Sequence, residues 1–148
     1  MASIGSRHSG TVNDLVEAFV QLLGTRCIVS VQNPLLLGDR SMPQPDVALL
    51  KPRSDKYRRS HPESADALLL VEVADTTRAF DLGAKVPLYA RHGIREVWVL
   101  DLTERKVRVF RDPGPAGYRT EISVAGEQNL SPHAFPEVAI PVAKLLPV

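Results

Sequence analysis

Cysteine is almost absent: Cys27 is the one thiol in 148 residues. A lone thiol cannot close an intramolecular disulfide, which excludes the disulfide-scaffold class and predicts a reducing compartment, the cytoplasm. Aromatic residues are scarce at 5%, with one tryptophan, which argues against a platform for stacking nucleic-acid bases. Charge of one sign is also missing in bulk. Eighteen Lys+Arg against 17 Asp+Glu leave a formal net charge of +1, too little for an overall field to draw in a polyanion or a membrane. No apolar run approaches the roughly 20 residues that span a bilayer, and no basic-then-apolar leader opens the chain. With 44% hydrophobic residues, the chain suffices for one core, and a single domain over 1–148 is expected.

The apolar pattern predicts an α/β domain. Val12, Leu15, Val16, Phe19, Val20 and Leu23 recur at spacings of three and four, one helix face over 9–23. Ser9 or Thr11 is available to cap it and Gly24 to end it. Cys27–Val31 reads as a strand, and Pro45 feeds a second strand over 46–50. Residues 51–59 hold Lys51, Arg53, Lys56, Arg58 and Arg59 against Asp55, an exposed basic loop suited to phosphate contact. Ala67–Val73 is a near-continuous apolar run, as in a central strand covered on both faces. A helix over 79–92 follows, with Pro87 inside it and Gly93 as its stop. Val97–Leu100 forms the next strand, and Val107 with Val109 continues into a hairpin partner. Residues 112–117, rich in proline and glycine, read as a loop before a strand over 118–124. The tail carries enough apolar residues, among them Val138, Ile140 and Leu145, to dock on the body. The core order is α-β-β-β-α-β plus C-terminal strands.

Three residues are candidates for chemistry. Glu72 places a carboxylate in an apolar strand, where it must find a cation, take up a proton or sit at the sheet's open end. It reads equally as a metal ligand or general base and as a strand-end glutamate paired with a lysine or arginine. Asp46 opens a strand behind Pro43-Gln44-Pro45; alone it is a turn residue, but beside Glu72 it makes a carboxylate pair that a hard cation would neutralise. Magnesium suits such a pair. Lys85 either pairs with Asp81 one helical turn away or is aimed by its helix at that site, where it would orient water and offset phosphorane charge. The four histidines show no zinc spacing, and His8 reads as a solvated helix-end residue. Cys27 reads as core. Dinucleotide, P-loop and nucleophile-elbow motifs are absent.

Pro45-Asp46, Leu70–Thr77, Asp81 through Lys85 to Tyr89-Ala90, Gly93-Ile94 and Val97–Asp101 together resemble the Uma-two family of restriction-endonuclease-like proteins, within the PD-(D/E)xK nuclease superfamily. The match extends to Ile4–His8 at the front and to Gly117-Tyr118, Phe135-Pro136 and Leu145-Leu146 at the back. It implies a restriction-endonuclease-like mixed sheet with flanking helices. It also implies that Asp46 and Glu72 hold Mg2+, with Mn2+ as a possible substitute, and that a DNA phosphodiester is the substrate. The superfamily's usual lysine would fall at Ala74; the resemblance moves that role to Lys85, and its Lys-x-Pro-Leu-Tyr-Ala pattern accommodates Pro87. Family members usually carry a further hairpin of the Glu-Leu-Ile-x-Gly-Glu type ahead of this match, where only Met-Ala-Ser stands here. A sheet edge left open predicts pairing with a second chain, hence a homodimer. It also keeps open the alternative of a catalytically impaired nuclease-fold protein that binds DNA or a protein partner.

Overall fold

The computed structural model describes residues 5–75 and 79–147, with backbone alone for 79–81. Its elements are α1 (Ser6–Leu23), β1 (Ile28–Val31), β2 (Val47–Leu50), β3 (Ala67–Ala74), α2 (Ala79–Arg91), β4 (Glu96–Asp101), β5 (Lys106–Gly114), β6 (Gly117–Ala125), β7 (Asn129–Leu130), β8 (Ile140–Pro141) and α3 (Val142–Leu145). Six strands form one sheet in the order β1-β2-β3-β4-β5-β6. Every neighbouring pair is antiparallel except β3 and β4, which run parallel and are joined through α2. This is the mixed α/β sheet with flanking helices that the sequence pattern and the family resemblance imply.

Strand β3 explains the layering. Its alternate residues Leu69, Val71 and Val73 face the α1 side, where they pack with Leu15, Phe19, Trp98 and Leu100. Leu70 and Ala74 face the α2 side with Leu82, Tyr89, Val97 and Val99. Apolar residues on both faces are what a central parallel strand requires. Helix α1 buries His8, Thr11, Val12, Leu15, Phe19 and Leu23, a stripe of helical period that begins one turn earlier than its apolar residues indicate. Ser9 and Thr11 therefore lie inside the helix, and Thr11 Oγ1 donates to Arg7 O at 2.9 Å. Gly24, at φ +56°, closes the helix as expected, its N–H bonding Val20 O. Cys27 is buried in the α1-side core, and burial pushes its thiol pKa up.

One segment departs from expectation. Residues 112–117 form no long loop: β5 runs to Gly114 and β6 starts at Gly117. Strand β4 stops pairing at Arg111, so beyond that point β5 has one neighbour only, where a strand tolerates Pro113. The tail docks as anticipated, burying Leu130, Phe135, Val138, Ile140, Val142 and Leu145 against the α1 side. A half-buried ion pair secures it: the buried Glu96 accepts from Arg111 Nε at 2.7 Å and from the His133 N–H at 2.8 Å. No helix among the described residues is long and apolar enough to cross a membrane.

Candidate active site

Strand β2 pairs with β3 up to Val47 opposite Val71, so Asp46 stands one step further on, beside Glu72. Both residues are at the C-terminal end of the parallel β3–β4 pair, where open α/β sheets place ligands. Here the ladder between β2 and β3 gives way to side chains. The Val73 N–H donates to Asp46 Oδ2 at 2.8 Å, and the Asp46 N–H donates to Glu72 Oε1 at 3.0 Å. Each carboxylate thus takes a backbone donor from its partner strand, which offsets part of the cost of burying both. That cost is large, since Glu72 is 0% exposed and Asp46 3%.

Glu72 shares the sheet face of Leu70 and Ala74, beneath α2, and Lys85 reaches down to it. The Lys85 ammonium lies 3.4 Å from Glu72 Oε2, with the lysine side chain 27% exposed. The lysine is therefore turned to the carboxylate yet still reachable from solvent. Of the two readings of Lys85, the structure shows the one directed at Glu72; the Asp81 side chain lies outside the described residues, as do Thr76 and Thr77 of the motif. The salt-bridge reading of Glu72 and the metal-ligand reading are not exclusive, because the ion pair is itself part of the cluster.

His8 corrects the sequence reading. It is not a solvated helix-end residue but 1% exposed, with Nε2 3.2 Å from Asp46 Oδ2. The signal was available in the helical period: stepping back from Leu15 and Val12 by one more turn lands on His8. The cluster is thus His8 from α1, Asp46 before β2, Glu72 on β3 and Lys85 on α2. Among the described residues, no group of three or more His, Cys, Asp or Glu is arranged to hold a metal ion. A cation at this site would rest on the two carboxylates, with water or substrate oxygens completing its shell, the manner in which magnesium is commonly held.

The basic loop over 51–59 stands elsewhere. Asp46 and Lys51 flank opposite ends of β2, about 17 Å apart at strand rise, so the loop does not border the carboxylates as expected. Its charge is partly spent on its own structure. The Asp55 carboxylate accepts from Arg53 Nε at 2.6 Å and from the Tyr57 and Arg59 N–H groups. Hydrogen bonding from Arg53 lowers the Asp55 pKa to about 2. The Arg53 guanidinium stacks over the Tyr57 ring at 4.0 Å, and Tyr57 OH donates to Lys51 O. The arginines at the carboxylate end are others. Arg7, adjacent to His8, donates to Leu102 O at 3.1 Å, and the Leu102 N–H donates to Ala74 O. Arg105 donates to Leu146 O at 2.8 Å and to Pro147 O at 3.0 Å, and with Arg7, Asp14 and Leu102 it lines one cleft of about 480 Å³.

Comparison with known families places residues 1–143 within the family model Uma2, described as a putative restriction endonuclease. The chain belongs to the Uma2 family. This is the Uma-two resemblance carried by its motifs, and the shared description is that of a nuclease. Its fold is similar to the crystal structure of a putative nuclease belonging to DUF820 from Anabaena variabilis. That match has a TM-score of 0.77 at 14% identity and covers 97% of this chain and 82% of the other. At that identity the likeness concerns the fold. Comparison with curated proteins finds no match.

Proposed function

We propose that this Uma2 chain is a Mg2+-dependent DNA endonuclease, with Mn2+ able to substitute, and that Asp46, Glu72 and Lys85 carry the hydrolysis of the phosphodiester bond. The observation behind this reading is the convergence of two buried carboxylates and a partly exposed lysine at one end of the sheet. The donor set suits a hard cation, being carboxylate oxygen with no thiolate. Asp46 and Glu72 would hold the ion, which when bound supplies Lewis acidity toward a phosphoryl oxygen and lowers the pKa of water. Lys85 does the remaining work. Its ammonium has donors beyond the one turned to Glu72, so it orients the attacking water and offsets charge that grows on the phosphoryl oxygens. The buried amides of Asp46 and Val73 keep the carboxylates fixed during that change, so little reorganisation is needed.

Duplex phosphates would run across Arg7 and Arg105 rather than the 51–59 loop. Arg7 is tied through Leu102 to Ala74, two residues from Glu72 and therefore about 7 Å along the strand. A symmetric homodimer fits two-strand cutting. Strand β1 is an outer strand of the sheet, and its Val31 adjoins Val12, Val16 and Val20 of α1 in one shallow apolar groove. Val20 is 53% and Val31 37% exposed, and a second copy of this chain would cover both. A single thiol suits the cytoplasm.

Plasmid nicking with Mg2+ or Mn2+, against EDTA, tests the reading. Metal-dependent nicking that disappears in Asp46→Asn supports it, and intact plasmid with either ion overturns it. The internal pairing of the cluster favours a second reading, in which Lys85 and the backbone amides satisfy the carboxylates and the protein binds DNA or a protein partner without cutting. Metal-independent retardation of a DNA duplex without nicking would select that reading.

A further inference from the structure

We infer that His8 is a positioning residue for Asp46, setting the carboxylate in the orientation in which it meets a divalent cation. The inference rests on the reading of Asp46 and Glu72 as cation holders. Two donors converge on a single oxygen: His8 Nε2 at 3.2 Å and the Val73 N–H at 2.8 Å both face Asp46 Oδ2. A carboxylate oxygen only accepts, so Nε2 carries the hydrogen. One donor comes from α1 and the other from β3. A side chain with two rotatable bonds, gripped at one oxygen from two elements, has its plane defined before any ion arrives.

The placement of the ring is itself rigid. His8 belongs to the same buried stripe as Val12, Leu15 and Phe19, and Phe19 packs against Trp98 of β4 with ring centroids 6.0 Å apart. The imidazole is therefore registered to the sheet by the whole helix, not by a loop, which is the support that a precise site needs. A buried residue of merely structural use on this stripe would be served by another apolar side chain, as at every neighbouring stripe position except Thr11. An imidazole aimed at a carboxylate serves the carboxylate. Donors that orient ligating groups in this way are generally worth 10–100-fold in metal affinity.

Titration calorimetry with Mn2+ and with Ni2+, without DNA, reads the effect apart from cleavage. His8→Met fills the ring's volume without donating, whereas His8→Gln keeps a donor at similar reach. The expected result is a loss in His8→Met on the order of 10–100-fold for both ions, with His8→Gln close to wild type. If His8→Met fails to fold, His8→Asn, too short to reach Asp46, takes its place with the same expected loss. Unchanged affinity in the non-donating variant overturns the inference. So does a loss in His8→Gln confined to Ni2+, which imidazole ligation favours and which would make His8 a ligand. A wild type that binds neither ion removes the cation reading and this inference together, whereas binding that survives His8→Met removes the inference alone.

Discussion

Asp46 donates its backbone N–H to the Glu72 carboxylate at 3.0 Å, so the two acidic residues are joined through the main chain as well as by proximity. The consequence is that the pair forms with the strands themselves. Whatever registers β2 on β3 also sets the separation of the carboxylates, and no loop has to close to assemble them. The negative charge brought together in this way is offset by Lys85 and by amides, an arrangement that stores electrostatic cost at one end of the sheet.

Glu72→Gln should separate that cost from activity. Glutamine keeps an oxygen for the Asp46 N–H but brings no charge into a site that is 0% exposed, and Lys85, at 27% exposure, turns its ammonium from the glutamine NH2 to solvent. Buried charges in functional sites are commonly held against stability. The variant should melt at or above the wild-type temperature and cleave no plasmid. A melting temperature lowered by several degrees would mean that the Glu72–Lys85 pair is a net stabiliser.

Lys85→Ala acts in the opposite sense on stability. It leaves the Glu72 carboxylate without the ammonium at 3.4 Å, and stranding a buried charge costs more than the pair is worth. Discounting for the lysine's partial exposure, the loss should be about 1–3 kcal/mol, visible as a lower urea midpoint. Cleavage should be abolished. Cleavage at the wild-type rate would reduce Lys85 to a structural counter-ion.

The elements were largely legible in the sequence because each carries one dominant period. The apolar run at 67–73 announced the central strand, and the spacing from Val12 to Leu23 announced α1. Proximity of Asp46 and Glu72 followed from placing their strands side by side. His8 was hidden by its type: a polar residue beside Arg7 at a helix end suggests solvent, although its position on the stripe says otherwise. The basic loop misled for a related reason. Adjacency in sequence to the strand of Asp46 concealed that β2 carries the chain to the opposite end of the sheet. At residues 112–117 composition outweighed pairing, because the single-sided exposure of β5 beyond Arg111 depends on where β4 begins.

The proposed path of duplex phosphates across Arg7 and Arg105 is measurable by salt dependence. Each phosphate contact on duplex DNA contributes about 0.9 to the slope of log affinity against log salt. Arg105→Ala should flatten the slope by about that amount, and neutralising Arg58 and Arg59 should leave it unaltered. The reverse pattern would restore the 51–59 loop as the DNA surface.

Acid should loosen that loop in a defined window. The Asp55 carboxyl, lowered from 3.8 to about 2 by Arg53, binds its proton less readily when folded than when unfolded. Its contribution is therefore complete above the ordinary carboxylate pKa and lost as pH falls through about 2. Amide exchange at Tyr57 and Arg59, whose N–H groups donate to Asp55, should accelerate between those limits relative to other exposed amides. Protection that vanishes already near pH 5 would contradict the Arg53 pairing.

Self-association is testable at one residue of the outer strand. Val31 ends β1 at 37% exposure, beside Val20 of α1 at 53%. Lysine is the side chain with which natural sheets discourage edge pairing, since an ammonium brought against a second copy loses its water without a partner. If β1 and α1 meet their symmetry mates, Val31→Lys should convert a species of about twice 16.2 kDa in sedimentation into one of 16.2 kDa. The lysine would point into solvent in the separated chain, so the melting temperature at low protein concentration should hardly change. A wild type already sedimenting at 16.2 kDa well above micromolar concentration would refute the dimer. A dimer indifferent to Val31→Lys would place its interface on another face, with β6 at the opposite edge of the sheet as the next strand to charge.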